Sequence, residues 1–148
     1  MPGDVPSYVV DTSVVLKWFV ERNEANVIEA RMLRDAHIRG RCRLRAPEFL
    51  ALEIANALAV GQARQSRLVQ AMLEALAVMA VDLCPVDWAI LGRSVELVAS
   101  LRVTVYDAYF LALAVTYGIP LVTTDDAFLR RLGPHRNAIA LRDVRLAI

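Results

Sequence analysis

The chain has 148 residues, 57% of them hydrophobic, and a mean hydropathy of +0.41. That length suits one domain, since single domains most often run ~100–150 residues, and that composition excludes a disordered chain. The net charge of +1, from 17 basic and 16 acidic residues, argues against a strongly basic nucleic-acid glue.

The basic set is one-sided: Lys17 is the only lysine and every other basic residue is arginine. Genome base composition is the bland source of such a bias. The functional one is phosphate recognition, which the planar guanidinium fork serves well. Cys42 and Cys84 lie far apart, form no CxxC pair and have few histidines for company. They read as buried thiols of a reducing compartment rather than zinc ligands. Met1–Ser7 contains Pro, Gly and Asp and does not read as a signal peptide. No stretch reaches the ~18 apolar residues of a membrane span, because Val103–Ile119 is interrupted by Asp107. The expectation is a cytoplasmic protein with some apolar surface kept for a partner.

Residues 1–7 read as a loose tail ahead of a single domain over 8–148. Tyr8-Val9-Val10 predicts a short strand ending at Asp11, and Thr12 and Ser13 offer caps for a helix over Val14–Val20. A helix follows over Glu24–Arg39 with Ile28, Met32 and Ala36 as its inward face, stopped by Gly40. Arg41–Ala46 predicts a strand. Pro47 suits the first position of a helix to about Ala63, with Leu50, Ile54 and Leu58 inward. Ser66 caps the next helix, carrying Leu68, Met72, Leu76 and Met79. Val81–Cys84 reads as a strand that Pro85 breaks, and Val86–Leu101 as a helix with Leu91, Val95 and Val98 aligned. Thr104 opens a helix to Tyr117 that is apolar almost all round and therefore buried. Strands over Ile119–Thr123 and Ala138–Leu141 flank a short helix over Asp126–Leu132. Short apolar strands alternating with longer helices predict an α/β layer fold around a parallel sheet.

In such folds ligands bind beyond the carboxyl ends of the strands. Asp11 follows the first strand, Asp125 and Asp126 follow the strand ending at Thr123, and Asp107 opens the buried helix. Glu53 lies inside the apolar run Phe49–Leu58, where a carboxylate is costly to bury unless paired or coordinated. Each has a structural alternative. Thr104-Val-Tyr-Asp107 matches a capping box, Asp11 and Asp125 suit helix caps, and Glu53 shares its face with Asn56. Gathered at one sheet edge without lysine, however, these groups would repel one another. A hard divalent cation with oxygen ligands resolves that repulsion.

Four segments carry a resemblance. Val9-Val10-Asp11-Thr12-Ser13-Val14-Val15-Leu16-Lys17-Trp18 resembles the opening of a PIN-domain nuclease of the VapC toxin type. Ala46-Pro47-Glu48-Phe49-Leu50 through Glu53-Ile54-Ala55-Asn56-Ala57-Leu58 resembles its second motif, Thr104–Ala114 its third and Gly118–Asp125 its fourth. The resemblance implies a PIN-like α/β/α sandwich with a central parallel sheet. It implies an acidic pocket of Asp11, Glu53, Asp107 and Asp125 holding Mg²⁺ or Mn²⁺, with Asp126 as a further metal residue. Ser13, Asn56 and Thr123 would hydrogen-bond behind these ligands.

The implied activity is endoribonuclease cleavage by metal-activated water, leaving a 5′-phosphate and a 3′-hydroxyl. No Ser-His-Asp or Cys-His set competes, and His37 and His135 read as structural or solvated. Arg130, Arg131 and Arg136 lie downstream of Asp125 as candidate RNA contacts; the Arg39–Arg45 cluster reads as a solvated edge. The implied partners are RNA and a cognate antitoxin, within a homodimer or a toxin–antitoxin hetero-oligomer and without a membrane. A receiver domain would need a lysine after its last strand, and a haloacid-dehalogenase phosphatase an Asp-x-Asp. The alternative from another class is a PIN scaffold that binds RNA or protein without cutting.

Overall fold

The computed structural model describes residues 3–20, 24–61, 64–134 and 137–146. Five strands build one all-parallel sheet: β1 (Ser7–Val10), β2 (Arg43–Pro47), β3 (Asp82–Cys84), β4 (Leu121–Thr123) and β5 (Ala138–Ala140), in the order β3-β2-β1-β4-β5. The chain winds outward from β1 to β3 on one side, then returns to β4 and β5 on the other. The strand order therefore reverses between β1 and β4, the switch point at which open α/β sheets leave a crevice beyond their carboxyl ends. Val9 pairs with Leu121 and Val10 with Val122, so Asp11 and the segment after Thr123 leave the sheet side by side.

The helices of this three-layer α/β/α fold are α1 (Thr12–Leu16), α2 (Val27–Ile38), α3 (Leu50–Asn56), α4 (Ser66–Val78), α5 (Trp88–Leu101), α6 (Val105–Tyr117) and α7 (Asp126–Leu132). A 3-10 turn, Lys17–Phe19, extends α1, and a π-turn, Ala57–Gly61, extends α3. Helix α6 is buried from Ala108 through Ala114, as its apolar sequence predicts, and packs on β1, β2 and β4. Thr104 caps it and Gly118 stops it in the left-handed region, φ 65°. Cys42 and Cys84 are buried and unpaired.

Several local expectations are corrected. Asp11, rather than Thr12 or Ser13, caps α1, accepting from Val14 N at 3.2 Å. Pro47 ends β2, where its missing N–H is tolerated, instead of opening a helix. Helix α2 buries Val27, Ala30, Leu33 and Ala36, leaving Ile28 68% and Met32 57% exposed. Both stripes contain Ala36. Trp18 decides between them, because its indole N–H donates to Ala30 O at 2.9 Å in the interior. Helix α4 opens at Gln65 with no side-chain cap and buries Val69 and Leu76, with Leu68 exposed. Helix α5 turns Ile90, Ser94 and Leu101 inward and leaves Val95 exposed. The buried Ser94 hydroxyl is satisfied by Ile90 O at 2.8 Å. Ser7 belongs to β1 rather than to a tail.

Candidate active site

Asp11 lies where β1 passes into α1, and three groups hold its carboxylate. Val14 N and Ser13 Oγ donate to Oδ1, the latter at 2.5 Å, and the buried Thr123 hydroxyl also bonds to it. Burial nevertheless dominates. It pushes the Asp11 carboxyl up to about 6, with the Asp107 charge adding to the rise and the three hydrogen bonds opposing it. Ser13 also accepts from Thr124 N at 3.2 Å, which ties the end of β1 to the end of β4.

Glu53 projects from α3. Thr12 Oγ1 donates to its Oε1 at 3.0 Å across 41 residues of sequence. The Glu53 carboxyl is raised by burial and by the Asp107 charge, and lowered by the Thr12 bond. Phe49, at the entry to α3, sets this helix against α6. Its ring makes edge-on contacts with Tyr106, Tyr109 and Phe110 at centroid distances of 5.7, 5.4 and 5.4 Å. Tyr106 and Asp107 are adjacent in the first turn of α6, so the aromatic cluster brings Asp107 toward Glu53.

Asp107 completes half of the expected capping box: its N–H donates to Thr104 Oγ1 at 3.2 Å. Its carboxyl is raised by burial and by the Asp125 charge, while Thr104 lowers it. Asp125 caps α7, accepting from Phe128 N at 2.9 Å, and its own N–H bonds Thr123 Oγ1 at 3.1 Å. The four carboxylates thus come from four different segments, and Asp107 is electrostatically linked to the other three. Among the described residues, no lysine, arginine or histidine lies within 4 Å of any of them.

The remaining sequence candidates stand differently. Asp126 points to Arg142, paired at 2.8 Å on the surface, and this neighbour lowers its carboxyl. Asn56 is exposed and makes no side-chain hydrogen bond to another described residue. Arg130 and Arg131 are exposed on the last turn of α7; Arg136 and His135 lie outside the described residues. His37 is structural, taking Leu44 N on Nδ1 at 3.2 Å and facing Met79 O from Nε2 at 3.0 Å. Sequence reasoning missed the role of Thr12. The only available signal was its place between Asp11 and Ser13.

The donors are all oxygens and carry unneutralised charge, a chemistry that fits a hard divalent cation. Among the described residues, no three His, Cys, Asp or Glu side chains form a group that could hold one ion. Among the described residues, no single helix is long and apolar enough to cross a membrane.

The comparisons agree on the scaffold. No curated protein matches the sequence. Among solved structures, PAE2754 from Pyrobaculum aerophilum is similar with a TM-score of 0.63 at 18% identity, over 93% of this chain and 90% of that one. FitAcB from Neisseria gonorrhoeae is similar with a TM-score of 0.69 at 12% identity, over 93% and 99%. At those identities the likeness is one of fold. The PIN domain model matches residues 8–133, a span that includes Asp11, Glu53, Asp107 and Asp125, and the chain belongs to the PIN domain family.

Proposed function

We propose that this chain is a metal-dependent endoribonuclease of the VapC toxin type, using Mg²⁺ or Mn²⁺ and neutralised by a cognate antitoxin. One observation carries the reading: the Asp107 charge is linked to those of Asp11, Glu53 and Asp125, and none of the four carboxylates has a basic partner within 4 Å among the described residues. A purely structural role would be met by amides at lower electrostatic cost. PIN domains are commonly nucleases.

Asp11, Glu53, Asp107 and Asp125 would hold the cation, which requires side chains that form no three-membered ligand group among the described residues to draw closer together on binding. When bound, it supplies charge neutralisation at the phosphate and a lowered pKa for water. The protein's own part is placement. Thr12 restrains Glu53, Ser13 and Thr123 restrain Asp11, and Thr123 also fixes the backbone at Asp125. The start of α6 presents its positive end at Asp107, which favours the ionised ligand. Asp126 is assigned a supporting role, since Arg142 already engages it. Arg130 and Arg131 supply positive charge for the approach of RNA. Asn56 stands one turn after Glu53 for a bond to it once the site is loaded.

Exposed apolar side chains support the antitoxin reading. Leu52, Val60 and Val78 are 73%, 71% and 85% exposed along α3, its π-turn and α4, with Ile28 and Met32 on α2. Such patches mark interaction surfaces. A homodimer or toxin–antitoxin hetero-oligomer in the cytoplasm follows from the same reading.

The alternative is a non-cleaving PIN scaffold, favoured by the missing three-residue ligand group among the described residues. Mapping RNA ends after brief induction, wild type beside Asp11→Asn, tests the nuclease. New 5′-phosphate ends in wild type alone are expected. No new ends, together with no response to a Mn²⁺ titration, would leave the scaffold.

A further inference from the structure

Arg102 occupies the turn between α5 and α6 with a left-handed backbone, φ 55°. That region is disfavoured for a residue with a Cβ, and neither Gly nor Asn stands there. Its N–H closes α5 on Val98 O at 3.0 Å, and its carbonyl accepts from Arg131 Nη1 of α7 at 2.8 Å. Thr104, two residues on, caps the helix that carries Asp107. Arg131 stands six residues beyond Asp125, roughly 9 Å along a helix at ~1.5 Å per residue. The Arg131–Arg102 bond therefore joins the segment bearing Asp107 to the segment bearing Asp125.

The guanidinium of Arg102 is exposed. Among the described residues it has no carboxylate within 4 Å and no side-chain hydrogen bond. Arg131 differs: one of its N–H groups is committed to the Arg102 carbonyl. Its place in the last turn of α7 is accounted for by the helix dipole and this bond. The dipole and the bond leave the Arg102 side chain unexplained.

We propose that Arg102 binds a backbone phosphate of single-stranded RNA beside the acidic pocket, and that Arg131 is the positioning residue that holds the Arg102 turn in place. This rests on the nuclease reading of the pocket. A guanidinium free of protein partners matches a phosphate with two parallel hydrogen bonds. Arg102 is not one of the carboxylate-bearing positions and precedes Asp107 by five residues, so the phosphate it holds flanks the reacting linkage. The contact is therefore made equally in ground and transition states, and acts on KM rather than kcat.

The test is fluorescence anisotropy with a short mixed-sequence single-stranded RNA, over a KCl series, in a Glu53→Gln background that prevents cutting. Adding Arg102→Gln is expected to weaken binding about two- to fivefold at low salt. It should also flatten the slope of log affinity against log salt by about 0.7, one counterion released on a single strand. Tm should not move. With Glu53 intact, Arg102→Gln should raise KM and hold kcat. Arg131→Gln should weaken binding similarly but lower Tm as well. Parental affinity and slope in the Arg102→Gln protein, or a loss matched by a fall in Tm, overturns the proposal alone. A Glu53→Gln parent that binds no RNA overturns the nuclease reading along with it.

Discussion

The Thr12 hydroxyl donates to Glu53 Oε1 at 3.0 Å, joining the first turn of α1 to the middle of α3. It fixes one carboxylate oxygen of Glu53 and leaves the other free. Thr12→Val keeps the shape and removes the bond. A residue that orients a metal ligand typically changes metal affinity or activity ~10–100-fold. The Mn²⁺ concentration for half-maximal cleavage should therefore rise about tenfold in Thr12→Val and recover in Thr12→Ser. Glu53→Gln should abolish cleavage while the far-UV circular dichroism persists. Wild-type rates in both variants would make Glu53 a structural residue.

Asp125 and Asp126 are neighbours with different partners. Asp125 caps α7 and raises the Asp107 carboxyl by its charge, whereas Asp126 pairs with Arg142 on the surface. Asn caps a helix about as well as Asp, so Asp125→Asn should lose activity with little change in Tm. Asp126→Asn should retain most activity, since an exposed ion pair contributes only ~0–1 kcal/mol. The comparison is one cleavage assay run on both proteins, and the opposite ranking would move the ligand by one residue.

Asp11 links the site to stability. Burial pushes its folded carboxyl up to about 6, above the ordinary value of 3.8. Between those two values the folded state holds more protons than the unfolded state, so stability falls as pH rises through that window. The stabilisation is present at low pH and is lost above the folded value. Asp11→Asn preserves the acceptor for Val14 and Ser13 and removes the charge. It should stabilise the metal-free protein at neutral pH by roughly 1 kcal/mol. Added Mn²⁺ should raise the wild-type Tm by linkage and the variant's much less. Thermal unfolding with chelator and with Mn²⁺ decides it: a lower metal-free Tm for the variant and equal shifts with Mn²⁺ would make Asp11 a helix cap alone.

Leu52 is 73% exposed on α3 beside the half-buried Glu53. An apolar partner segment laid over α3 would bury it. Leu52→Ser should then speed dissociation of a co-purified partner about tenfold, the loss typical of a central apolar anchor, and leave the Tm of the free chain unchanged. Dissociation rates by surface plasmon resonance measure this, and an unchanged rate would place the partner elsewhere.

Local chemistry alone determined much of this protein. The apolar length of Val105–Tyr117, capped by Thr104 and stopped by Gly118, required a helix, and it is buried through its middle, Ala108–Ala114, with Tyr106, Val115 and Tyr117 left exposed at its ends. The short apolar strands between helices required a parallel sheet, and its geometry placed Asp11 and Asp125 at one edge. Helix faces were not determined that way. In α2 the expected stripe and the observed one share only Ala36, and the Trp18 indole on Ala30 O belongs with the observed one, which periodicity did not indicate. The roles of Thr12, Phe49 and Arg102 were also invisible, because each depends on a partner distant in sequence: Glu53, the α6 aromatics and Arg131. Hydrophobic periodicity reports how much surface a segment must bury. Only tertiary packing decides against what, and so which hydroxyl meets which carboxylate.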